Sequence, residues 1–185
     1  MLFAIRESIT LAQTVVKPQV LKPQDVAVLL RLAVGPSAEY VAISYDLSIS
    51  ASTVHESVER LQLAGLLRPD SRRVNGHALF EFLEHAVRYV FPAAPDSMAR
   101  GVPTAHSAPA LASDILSDDV VVWPDPRGTV RGQSIPPLLA RAGELPEKCP
   151  AVYGLLTLVD AIRIGRVRER ATAMEKIRER VAATG

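Results

Sequence analysis

The sequence predicts a mainly α-helical fold: a helix-turn-helix with a small β-wing, carrying a Pro-rich arm and C-terminal helices. Three observations in its 185 residues predict it. Ile43, Leu47, Ile49, Val54, Val58 and Leu61 are apolar where two short crossed helices would bury them against a third. Between them, Leu47-Ser48-Ile49-Ser50 reads as a tight turn and a helix start, with Ser50 suited to accept a hydrogen bond from a free first-turn amide. Leu61-Gln62-Leu63-Ala64-Gly65-Leu66-Leu67 then ends the second helix on a glycine and turns into an apolar strand.

Taken in order, Leu2, Ile5, Ile9, Ala12 and Val16 recur at helical spacing and predict an N-terminal amphipathic helix over 1–18, stopped by Lys17-Pro18. The winged helix-turn-helix domain with its trailing helix is placed at 19–91. Pro23 suits a first helical turn, where its missing amide costs little. Val26, Leu29, Leu30 and Ala33 mark that helix's buried stripe, Gly35-Pro36 ends it, and Ser37 caps the next. After the wing, Leu79, Leu83, Ala86, Val87 and Val90 define a helix of about three turns. Ten of the fourteen prolines fall in 92–150. The segment is too apolar for a flexible linker, so it is expected to be an ordered arm on the helical core. Within it, 111–116 is compatible with helix, and Val120-Val121-Val122-Trp123 with Thr129-Val130-Arg131 reads as a short hairpin around Pro124 to Gly128. Helices return over 151–185, apolar through Val152, Leu155, Leu156, Val159 and Ile162, then strongly charged after Gly165.

The run from Lys22 to about Val74 resembles the winged-helix domain of MarR-type bacterial regulators. The resemblance lies in Ile49-Ser50, Thr53-Val54, Arg60-Leu61, Ala64-Gly65-Leu66 and the Asp-x-Arg wing signature in Asp70-Ser71-Arg72-Arg73. Ser44 and Ser48 depart from it, standing where alanine and glycine are usual. Ser48 is therefore expected to take a positive φ without glycine's freedom. The wing is also short, closed by Pro69 and Asn75-Gly76. The layout ending in Tyr89-Val90-Phe91-Pro92 is similar to further bacterial winged-helix proteins as well.

On a recognition helix, the leading turn meets base edges. Ser50, Ser52, Thr53, His55 and Glu56 are thus the candidate DNA-binding residues of the second helix, with Arg60 at its flank. Ser52 and Thr53 can meet phosphate or base, His55 can donate in the major groove, and Glu56 can accept from a cytosine amino group. Arg72 and Arg73 at the wing tip are the phosphate or minor-groove candidates. Against this stands a net charge of only +1, because DNA-binding surfaces are usually basic. A homodimer doubling its contacts on double-stranded DNA, or arginines added from elsewhere in the chain, would offset that shortfall.

Cys149 is the only cysteine, which excludes an internal disulfide and suits a reducing cytoplasm. Met1 to Val16 is interrupted by Arg6-Glu7 and lacks a clean cleavage site, so no signal peptide is expected, and no stretch suits a bilayer. His77, Glu81 and His85 share helical spacing but read as a solvated stripe, and no glycine-rich phosphate loop or hydrolase motif occurs. The expectation is a cytoplasmic regulator without cofactor, metal or catalytic activity. The alternative is a winged-helix interaction module, such as an antitoxin, that meets a partner protein through the Pro-rich arm or the basic C-terminal helix.

Overall fold

The structure, a computed structural model, describes residues 20–35, 39–69, 71–115 and 117–183. The predicted N-terminal helix, the Ser37 cap and Asp70 lie outside these. The chain is mainly helical with one small three-stranded sheet. In the first part, α1 (Pro23–Val34), α2 (Tyr40–Leu47) and α3 (Ala51–Leu63) are followed by a loop closed by one antiparallel bridge, Leu67 to Val74. α1 is buried continuously from Asp25 to Arg31, because it packs against α3 on one side and against a later helix on another.

Both helices around the turn end in the same way. At the end of α3, the amides of Gly65 and Leu66 reach back to the carbonyls of Gln62 and Leu61. At the end of α2, those of Ser48 and Ile49 reach back to Tyr45 and Ser44. This pair of bonds satisfies orphan carbonyls but needs a left-handed residue at the joint. Gly65 (φ 73°) supplies it freely, whereas Ser48 (φ 54°) supplies it at a steric cost.

α4 (Gly76–Glu81) runs through a π-helical turn, Phe82–Ala86, into α5 (Val87–Val90). The wider turn keeps a stride of four, so Leu79, Leu83 and Val87 all face the core. Val90, predicted inside, is exposed; the helix ends there and Phe91 takes the buried place.

The arm is ordered, but not as a hairpin. β1 (Met98–Pro103), β2 (Val121–Pro124) and β3 (Val130–Ser134) close into a small barrel. β1 pairs antiparallel with both others, its second half on β2 and its first half on β3. β2 and β3 are therefore parallel neighbours, which corrects the predicted antiparallel pairing. Gly101 sits where both meet, opposite Pro124 and Val130, and a side chain there would strike the Trp123 carbonyl. Turns rather than a helix occupy 109–114.

The short α6 (Leu145–Lys148) leads into α7 (Pro150–Ile164), against which α8 (Val167–Ala182) packs. α7 is the central helix, buried from Leu155 to Arg163 and in contact with α1, α5 and α8. Asp160, on α7, joins the parts. It accepts from Thr104 Oγ1 (2.7 Å), Trp123 Nε1 (2.5 Å) and Arg163 (2.6 Å). Arg163 in turn donates to the carbonyls of Phe91 (2.8 Å) and Pro136 (3.1 Å). Burial pushes the Asp160 carboxyl upward, and these donors oppose that by favouring its charge. Among the described residues no helix is long and apolar enough to cross a membrane.

Candidate functional site

The exposed face of α3 and the 67–74 loop lie side by side. Ser50 caps α3: its Oγ accepts from the amide of Thr53 at 3.1 Å and lies 2.8 Å from the hydroxyls of both Ser52 and Thr53. The leading turn thus carries three hydroxyls in one cluster. Val54, Val58 and Leu61 point into the core, which turns Ser52, His55, Glu56 and Glu59 to solvent and leaves Thr53 half-buried.

Arg60 is elsewhere. The wheel of α3 suggested an exposed flank, but its side chain is only 6% exposed and grips Asp25 on α1. A guanidinium facing a carboxylate across a helix contact is held there by two hydrogen bonds. Arg60 also meets Ser57 (3.2 Å) and Glu56 (3.5 Å), so its charge is spent inside the fold.

The loop is fixed by backbone bonds from Arg68 to Arg73 (2.8 Å) and Asn75 to Leu66 (2.9 Å), and by Gln62, which donates to the Ser71 carbonyl at 2.9 Å. Its tip brings Arg72 over the face of Tyr40, 5.2 Å from the ring centroid. The same ring meets His55 edge-on at 5.5 Å. Tyr40, the first residue of α2, thereby links the helix face to the loop. Arg73 is exposed beside it. His55 also approaches Glu59 (3.7 Å), and Lys22 approaches Glu56 (4.0 Å), so the lysine offsets some of the acidic charge on this face.

Sequence reasoning placed Ser50, Ser52, Thr53, His55, Glu56, Arg72 and Arg73 on this surface, and they share it. It missed Tyr40, whose role depends on contacts 15 and 32 positions away and leaves no local pattern. It also missed what holds the turn. Ser48 Oγ donates to Glu144 at 2.7 Å, and Lys148, over the Tyr45 ring, donates to Ser48 at 2.7 Å. Glu144 is further bound by Lys148 (2.9 Å) and Arg141, with Arg127 at 3.6 Å. These donors hold its carboxyl down to about 2.

The basic C-terminal residues are largely engaged within the fold: Arg163 is buried, Lys176 meets Asp114 (3.0 Å), and Arg178 meets Glu84 (2.7 Å) above the Phe80 ring. Among the described residues, no three His, Cys, Asp or Glu side chains gather as a metal would need. No protein-family model matches the chain, and no curated protein or solved structure does.

Proposed function

We propose that the chain is a sequence-specific DNA-binding transcriptional regulator acting as a homodimer. In this reading α2 and α3 form a helix-turn-helix, α3 enters the major groove, and the 67–74 loop is the wing. The observation that carries it is the continuous surface of Ser52, His55 and Glu56 beside Arg72, with the Tyr40 ring between His55 and Arg72. Hydroxyl, imidazole and carboxylate groups are the side chains that read base edges, while an adjacent guanidinium meets phosphate or the minor groove. One such helix reads few base pairs, and a weakly basic chain gains little from phosphate alone. Two copies related by a twofold axis double both terms.

The alternative, an interaction module meeting a partner through the Pro-rich arm, gains nothing from the arm's tryptophan. Trp123, the largest apolar group of the arm, is 1% exposed, so the arm does not offer it to a partner.

The test is anisotropy of labelled duplex from the gene's own upstream region, titrated with the full chain at several salt concentrations. Binding that weakens steeply with salt, and that prefers one site over scrambled duplex, supports the reading. No binding to any duplex at low salt overturns it.

A further inference from the structure

The barrel sets two arginines against each other. Arg100 on β1 stands directly opposite Arg131 on β3, and both side chains are exposed. The backbone shows which kind of pair this is. The Arg100 carbonyl accepts the amide of Asp125 at 3.1 Å, on the β2 side, whereas the Ser97 carbonyl accepts that of Ser134 at 3.1 Å, on the β3 side. Arg100 therefore turns its backbone away from β3. Its pair with Arg131 is the narrow, non-hydrogen-bonded kind, with Cβ atoms about 5 Å apart.

Like charges placed directly opposite one another repel and cost stability. Two ordinary reasons for charged strand residues do not hold here. A closed barrel has no open edge for charge to guard. Nor does either guanidinium answer a carboxylate: among the described residues, neither has an ion-pair or hydrogen-bond partner. Asp125, beside Arg100, is taken by Arg127 at 3.1 Å, and Glu144 beyond it by Arg141 and Lys148. Asp96, Asp118 and Asp119, the other acids of the barrel and its connections, form no ion pair with either arginine. Gln133, two residues beyond Arg131 and also exposed, adds an amide donor on the same face.

We propose that Arg100 and Arg131 form a clamp for a phosphate group, which supplies the missing negative charge between them. Guanidinium forks match phosphate oxygens in pairs, so one phosphate can accept from both arginines at once. On the DNA-binding reading, on which this assignment rests, the phosphate belongs to the duplex backbone beside the site that α3 reads. A short relay joins the barrel to the start of that helix: Asp125 to Arg127, Arg127 to Glu144 at 3.6 Å, and Glu144 to Ser48 at 2.7 Å. A free phosphate ester presents the same chemistry. The clamp itself does not depend on DNA.

The experiment uses the full chain, with inorganic phosphate and a scrambled duplex as probes. Melting is first followed against phosphate, with ionic strength held constant by chloride. The wild type should melt higher in a saturable way, because a ligand bound only by the folded state stabilises it. Arg100→Gln and Arg131→Gln should each lose that response, yet melt no lower than the wild type without phosphate, since each removes the repulsion. No saturable rise in the wild type, an equal rise in both variants, or variants that melt lower without phosphate overturns the clamp. Scrambled duplex is then titrated at several salt concentrations. Combining the two substitutions should reduce the slope of log affinity against log salt by about two. An unchanged slope with the phosphate response intact overturns the backbone contact and assigns the clamp to a free phosphate ester. If the wild type binds no duplex while the phosphate response holds, the DNA reading fails and the clamp stands.

Discussion

Asp25 and Arg60 form a buried fork between α1 and α3, with Nε to Oδ2 at 2.7 Å and the second prong to Oδ1 at 2.8 Å. The same Oδ2 accepts the amide of Lys22 at 2.8 Å, so Asp25 caps its own helix while it anchors the other. The hydrogen bonds and charge of that carboxylate raise the pKa of Arg60 above its ordinary value. Removing one member leaves an uncompensated charge in the core, which costs about 3–5 kcal/mol. Asp25→Ala and Arg60→Ala should each lower the denaturation midpoint accordingly, and the double variant should cost less than their sum. Additive losses in that cycle would remove the pair as a coupled unit.

Ser48 poses a different test. Glycine relieves its left-handed strain of about 1 kcal/mol but loses the hydroxyl, whereas alanine keeps the strain and loses the hydroxyl too. Ser48→Ala should therefore melt lower than Ser48→Gly. The reverse order would mean that the backbone at this joint is unstrained.

Acid should unfold the protein in a recognisable way. The Glu144 carboxyl lies near 2 in the fold, against an ordinary 4.5. Its depressed pKa contributes stability that is fully present above about 4.5 and is lost as pH falls toward 2. Glu144→Gln should flatten part of the stability decline in that window. An unchanged acid slope in the variant would assign the decline to other carboxylates.

Trp123 should emit at a short wavelength and resist quenching, because it is enclosed and stacked edge-on against Tyr153 at 5.8 Å. Trp123→Ala should cost about 3–5 kcal/mol as a large core truncation. Trp123→Phe keeps most of the volume but leaves Asp160 one donor short, a loss of about 1–3 kcal/mol. A water-like emission spectrum would contradict the packing.

On DNA, Arg72→Ala combined with Arg73→Ala should weaken binding to all duplexes and flatten the salt dependence, since fewer counterions are released. His55→Ala should instead change which sequence is preferred. Equal salt slopes for the double variant and the wild type would exclude the loop from phosphate contact.

What the sequence disclosed was mostly local. The Ser50 cap, the positive φ at Ser48, the glycine end at Gly65 and the burial of Trp123 follow from residue chemistry within a few positions. The barrel did not disclose itself, because Met98-Ala-Arg-Gly-Val-Pro shows no alternation of apolar and polar residues. Without β1, the two apolar runs around Pro124 and Gly128 look like a hairpin. Arg60 looked outward because a helical wheel does not know that Asp25, 35 positions earlier, faces it. The Ser48–Glu144 bond spans 96 positions and leaves no periodic trace at all. In the candidate site, the polar face of α3 was legible from spacing, but the Tyr40 bridge needed three segments in space.

α1 is enclosed by elements made at very different moments. α3 follows it closely, but α7 is more than a hundred residues downstream, and the seven consecutive buried residues of α1 need both. Without α7, one flank of α1 would face water. A chain ended before α7 would carry α3 on a helix with one flank unpacked. The enclosure of α1 is thus completed only by a helix that lies far downstream in the chain.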